Sequence, residues 1–405
     1  MLDTLRTIPG GITAPEGFRA GSTACGIKAD ATTPDLAILA ADVVCVATGT
    51  FTTNRAKAAP VILCQENLAA TGGRAQAVIV NSGNANCATG EPGLRNARRM
   101  AELTAARLGI APQHVLVSST GIIGRQLPME KIEAGISRIT LSTEGGNDFA
   151  TAILTTDTRT KMLALEFAVA GRIVRLAGTT KGAGMIYPNM ATMLCYITTD
   201  AAIEQPYLAQ ILREAVDDSF NMIAVDGDMS TNDTVLCFAS GLAGNTPLTA
   251  DAPDATTFVQ ALRHLTTYLA REIARDGEGA TKLMEVRITG APSRADARRA
   301  ARAITLSPLW QCALAGGDPN WGRIMAALGA SGANIDPNQA DIFLDDVQLV
   351  AGGMATSYSD EAARQVMART EVIIGINLHQ GSFAATAWGC DLTHGYIDEN
   401  TLYHR

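Results

Sequence analysis

Residues 181–196 read KGAGMIYPNMATMLCY, an unusual way for a loop to enter a strand. Gly182 and Gly184 permit close backbone approach, and Pro188 removes an amide donor and stiffens the turn. Thr192 then opens an apolar run, with small Ala191 before it. Two readings fit these residues. One is a tight turn leading into a β-branched strand residue. The other is a threonine nucleophile whose base is its own α-amine, freed by cleavage of the Ala191–Thr192 bond. An α-amine titrates near pH ~8 and can take up the hydroxyl proton near neutrality, so no side-chain base is required. That suits a chain with only 5 histidines.

A second hydroxyl lies in SSTGIIG, residues 118–124, after an apolar stretch. The hydroxyl of Thr120 and the backbone N–H of Gly121 can both be aimed at one developing oxyanion. The same residues also suit an ordinary strand-to-helix turn. Thr155 opens TTDT, which reads equally as a helix end, and Glu278, between two glycines in DGEGATK, reads equally as a solvated turn.

Other chemistries lack their residues. The histidines (114, 264, 379, 394 and 404) form no H-x-x-x-H or H-E-x-x-H arrangement. Asp226, Asp228, Ser230 and Asn232 imitate the start of a calcium loop. However, Thr231 occupies the position that needs glycine and Cys237 the one that needs glutamate, so a hydrogen-bonded turn is expected. Neither TTKGAG nor DGEGATK completes a phosphate loop, and no G-x-S-x-G elbow occurs. No metal and no cofactor is implied.

The elements that must position these residues alternate in type. Strands are expected at 75–80, 114–119, 192–199 and 233–239, with two more in 162–178 joined near Gly171. Helical spacing marks 93–109, 206–218 and 254–275. Beyond residue 280 a smaller set follows: strands at 283–289, 341–350, 371–378 and 382–390, and helices at 293–304, 319–328 and 359–369. Mixed order with hairpins predicts α+β layers rather than a doubly wound parallel sheet.

Composition narrows the partners. Lys plus Arg is 32 against 40 for Asp plus Glu, a net charge of −8 with no basic run, so nucleic acid is not an expected partner. The eight cysteines are scattered, without C-x-x-C, and most sit in apolar runs, as buried thiols of a reducing compartment do. The longest apolar stretch, 36–51, is interrupted by Asp42 and is too short and weak to span a bilayer. The N-terminal MLDTLRTIPGG carries no signal-peptide pattern, and a soluble, cytoplasmic protein is expected.

Taken together the motifs are specific. The sequence resembles the ornithine acetyltransferase family, also called glutamate N-acetyltransferase, of arginine biosynthesis. The likeness runs from AAPVILC and VIVNSGNANCATG through VLVSSTGIIGRQLPM, AILTTDT and KGAGMIYPNMATML. It continues in AVDGDMSTNDTV, DGEGATK, GGDPNWGRI and SFAATAWGCDLTHGY. The resemblance implies a four-layer αββα sandwich with a smaller C-terminal domain. It also implies self-cleavage between Ala191 and Thr192, giving an α-chain, 1–191, and a β-chain, 192–405. Residues 192–280 would complete the main sandwich and 281–405 would form mostly the smaller domain. Two chains of each kind would assemble as a heterotetramer.

By the same resemblance Thr192 is the nucleophile and Thr120 and Gly121 form the oxyanion hole. Thr155, Lys181, Thr192, Glu278 and Asn400 fall on substrate-binding positions. The implied reaction moves acetyl from N-acetylornithine to glutamate through an acetyl-threonine. Acetyl-CoA is implied only as an alternative donor, since no segment isolates a nucleotide pocket. Lys181 suits a substrate carboxylate and Glu278 the cationic end of ornithine. Two positions depart from the family pattern. Met229 stands where threonine is common, and Arg405 where a terminal threonine or serine is usual, which raises the expectation that its guanidinium pairs with a substrate carboxylate. Two rival readings are an aminopeptidase or amidase of the same fold and an unprocessed binding protein.

Overall fold

Successive residues of an extended strand face opposite sides, so a strand buried on both faces shows no polar alternation. Residues 36–41 of the strand Leu36–Phe51 are of this kind: Leu36, Ile38 and Ala40 enter one apolar cluster, and Ala37, Leu39 and Ala41 enter another. The structure, a computed structural model, describes residues 5–30, 32–187 and 193–402, the side chain of Leu402 excepted. The chain is mixed α/β with two sheets, and it divides into two units.

Among the described residues, the first unit comprises those up to 182, 193–217 and 229–269. Its strands are β1 (Arg6–Ile8), β2 (Phe18–Thr23), β3 (Leu36–Phe51), β4 (Arg74–Asn84), β5 (Val115–Ile122), β6 (Lys161–Val169), β7 (Arg172–Lys181) and β8 (Leu194–Thr199). After β9 (Ile223–Ala224), which lies in the other sheet, β10 (Thr234–Ala239) completes them. The nine strands run β1-β6-β7-β8-β10-β3-β4-β5, with β2 paired to β3. The β8–β10 and β4–β5 pairs are parallel and the other pairs antiparallel.

One face of this sheet is covered by α1 (Ala59–Ala70), α2 (Gly90–Leu108) and α3 (Met129–Arg138), through Leu63, Met100 and Ile132. Helix α2 stops at Gly109, which takes the left-handed conformation that glycine tolerates. The other cluster holds Phe149 of α4 (Gly146–Ala152), which meets Tyr196 edge-on at 5.1 Å between ring centroids. Helix α5 (Gln205–Asp218) follows β8, and α6 (Ala255–Arg275) packs Leu265 and Leu269 against Gly178.

The second unit comprises 183–188, 218–228 and 270–405. Its strands are β9, β11 (Leu283–Ala291), β12 (Asp341–Leu344), β13 (Val347–Ala351), β14 (Met354–Ala355), β15 (Glu371–Asn377) and β16 (Phe383–Cys390). They form a seven-stranded sheet in the order β14-β13-β12-β15-β11-β16-β9. Its helices are α7 (Arg294–Thr305), α8 (Pro308–Gly316), α9 (Trp321–Gly329), α10 (Asp360–Met367) and α11 (His394–Leu402). Ser293, Ser307 and Ser359 cap α7, α8 and α10 by accepting from the amides of Asp296, Trp310 and Ala362.

No helix among the described residues is long and apolar enough to cross a membrane. The eight cysteines are free thiols: six are buried, Cys25 is half-buried and Cys312 is exposed. Burial pushes the thiols of Cys45, Cys64 and Cys237 up to about 12, so they are neutral packing groups.

Candidate active site

In the first unit, Thr120 and Gly121 lie in the last three residues of β5, before Ile122. The parallel register sets Gly83 opposite Gly121, and it slips at Asn84, which faces both Thr120 and Ile122. Gly121 has φ +127°, and a Cβ there would run into the backbone of Gly83 and Asn84. Only glycine fits this bulge. Buried amides fix the strand end. Asn232 Nδ2 donates to the carbonyls of Ser119 (2.9 Å) and Ala85 (2.6 Å), and Ser119 Oγ donates to Asn81 Oδ1 (2.6 Å).

The loop after α4 brings up Thr155 and Asp157. The Asp157 carboxylate is fully buried and accepts from Lys161 Nζ (2.6 Å), the Gly182 amide (2.6 Å) and the Thr155 amide (3.2 Å). Lys181, the last residue of β7, lies opposite Leu194 of β8, two residues along the chain from Thr192. Its ammonium donates to Thr155 Oγ1 at 2.7 Å and, at a longer 3.5 Å, to Thr120 Oγ1, and it stands 3.8 Å from Asp157 Oδ2. Burial alone would raise the Asp157 carboxyl. The positive charges of Lys181 and Lys161, with hydrogen bonds from Lys161 and Gly182, outweigh it and hold the group at about 2.

In the second unit, Glu278 lies between the end of α6 and β11. Its amide donates to the Ala183 carbonyl (3.0 Å), and its carboxylate accepts from Asn400 Nδ2 (2.9 Å). Gly184 is constrained by this carboxylate, because a Cβ there would collide with it. Gly279, at φ +67°, lies flat against Gly395 of α11, and Thr393 Oγ1 donates to the Gly279 carbonyl at 2.6 Å. Asp226 accepts from the amides of Met185 (2.6 Å) and Ile186 (2.9 Å) and from Tyr396 Oη (3.3 Å). Burial, against those hydrogen bonds, pushes its carboxyl up.

The structure thus brings Thr120, Gly121, Thr155 and Lys181 together in one unit, and Glu278 and Asn400 together in the other. Ala191, Thr192 and Arg405 lie outside the described residues. Asp226 forms a hydrogen-bonded turn, accepting from the Asp228 amide at 3.1 Å, and Ser230 Oγ accepts from the Asn232 amide at 3.1 Å. Met229 receives Asn54 Nδ2 on its carbonyl and Thr53 Oγ1 on its sulfur. Sequence reasoning missed Asp157 and Lys161. The available signal was an acid and a base four residues apart in a segment without helical pattern.

The geometry is that of a hydroxyl, an amide and an ammonium gathered at the mouth of a parallel strand pair. The ArgJ family model matches residues 19–405. The chain belongs to the ArgJ family. It is therefore an acyltransferase of arginine biosynthesis, as the resemblance implied. The arginine biosynthesis bifunctional protein ArgJ of Symbiobacterium thermophilum is 49% identical over 399 residues, covering 98% of this chain and 99% of that protein. The ArgJ protein of Thermus thermophilus is 49% identical over 389 residues, covering 96% and 98%. A crystal structure of the Bacillus halodurans protein of the same name is 42% identical, with a TM-score of 0.49, and covers 50% of this chain and 96% of that chain.

Proposed function

We propose that the protein transfers the acetyl group of N2-acetylornithine to glutamate through an ester on Thr192. In this reading the chain first cuts itself between Ala191 and Thr192, so that Thr192 carries a free α-amine. Thr192 Oγ attacks the acetyl carbonyl while the α-amine takes the hydroxyl proton. Thr120 Oγ1 and the Gly121 amide hold the oxyanion. As the tetrahedral species collapses, the C–N bond breaks and the proton passes to the leaving amine, releasing ornithine. The amine of glutamate then attacks the ester, the C–O bond breaks, and the proton returns to Thr192 Oγ. An activated nucleophile that divides transfer in this way gives ping-pong kinetics.

The observation that carries this reading is the Thr120–Gly121 strand end with Lys181 and Thr155 beside it. Lys181 supplies positive charge for a substrate carboxylate. Glu278, with Asn400, meets the cationic end of ornithine. We assign the two chains to a four-layer αββα body with a smaller C-terminal domain, assembled as a cytoplasmic heterotetramer. Acetyl-CoA is a candidate alternative donor. The test is release of ornithine from N-acetylornithine with and without glutamate. Glutamate-dependent release with matching formation of N-acetylglutamate is expected, whereas equal release in water alone would mark an amidase.

A further inference from the structure

Lysine has only donors to offer, whereas a threonine hydroxyl has one hydrogen and two lone pairs. Lys181 Nζ therefore occupies lone pairs on Thr155 and Thr120 and leaves the Thr120 hydrogen to point elsewhere. That is the orientation an oxyanion donor needs before substrate arrives. Lys181 is set in place from behind. Asp157 is wholly buried, bonded to the equally buried Lys161, stands 3.8 Å from the Lys181 ammonium, and also holds the amides of Thr155 and Gly182. One carboxylate thus meets two lysines and holds the backbone segments that carry Thr155 and Lys181.

We propose that Asp157, braced by Lys161, is a positioning residue that holds Lys181 against Thr120 and so presents the Thr120 hydroxyl as a preorganised oxyanion donor. The inference rests on the reading of Thr120 as that donor, and it adds two residues that touch no substrate. It gives Lys181 a task besides its charge, which is to fix the direction of a neighbouring hydroxyl.

The test is a double-mutant cycle on the whole protein. Asp157→Asn alone takes the carboxylate from a buried ammonium, so the perturbation used is Asp157→Asn with Lys161→Met, which removes both charges together. In an otherwise unaltered chain this pair lowers kcat by about 10- to 100-fold, the scale of a slightly misplaced catalytic group. Thr120→Ala alone lowers kcat by about 10²–10³-fold. In the Thr120→Ala background the pair costs nothing further, because the hydroxyl it positions is gone.

An equal loss in both backgrounds, or an effect confined to KM, overturns the proposal and gives the pair a merely structural role. A variant that never separates into two chains overturns it as well, by assigning Asp157 to the turn at Gly182. If Thr120→Ala itself leaves kcat intact, the oxyanion-hole reading fails and the proposal with it. A large Thr120→Ala effect with no effect of the pair sinks the proposal alone.

Discussion

Asp157→Asn is nearly isosteric, so its cost is that of the charge and of one acceptor: with the oxygen kept for Lys161 and Gly182, the new amide nitrogen meets the Thr155 amide donor. Lys161 has no exposed side-chain surface, and its ammonium donates to the Asp157 carboxylate at 2.6 Å and, at 3.5 Å, to the Arg159 carbonyl. Removing the carboxylate's charge leaves an ammonium in low dielectric with only neutral acceptors at these positions. Removing one partner of a buried pair costs about 3–5 kcal/mol, whereas replacing both with neutral groups of similar volume is close to neutral. Lys161→Met is milder, because Asp157 still faces Lys181 at 3.8 Å and keeps the Gly182 and Thr155 amides. The expected order of melting temperature is therefore wild type, then the double variant and Lys161→Met, with Asp157→Asn lowest, because the double variant still takes the carboxylate from Lys181. Scanning calorimetry of the four proteins at neutral pH measures it. An Asp157→Asn protein that melts with wild type, or a double variant as unstable as Asp157→Asn, would refute the reasoning.

Two further outcomes follow from the same geometry. The Asp157 carboxyl is held at about 2, below the usual carboxylate range, so its contribution is present above pH ~4, is lost as pH falls toward ~2, and is on the order of 2 kcal/mol. Acid titration of stability should accordingly show a shallower fall between those values in the Asp157→Asn, Lys161→Met protein, and identical slopes would contradict it. Gly121→Ala should cost about 1–3 kcal/mol from its φ of +127° alone, with further loss from the clash against Gly83, and should abolish most activity; a stable, fully active Gly121→Ala protein would show that the bulge is not needed.

Much of the fold was legible where periodicity was clean. Gly109 ends α2, and Gly171 turns β6 into β7, both as the sequence indicates. Strand β3 was visible only as a weak apolar run, because both faces of residues 36–41 are buried and alternation carried no signal there. Helix α8 was not among the expected helices, although Pro308 is well placed in a first helical turn. Helix α11 has no apolar stripe, and it is defined by close contact with Gly279 and by hydrogen bonds instead. At the site, the hydroxyls stood out through their glycine neighbours. The supporting charges did not, since Asp157 and Lys161 look like a solvated pair until the fold buries them.

The central claim is an acetyl group carried by Thr192, and intact mass spectrometry after mixing with N-acetylornithine in the absence of glutamate tests it most directly. The account predicts two chains, one ending at Ala191 and one starting at Thr192, the second heavier by a single acetyl group that glutamate removes. A single full-length chain, or a cleaved protein whose Thr192 chain never gains acetyl while ornithine is released, would contradict it.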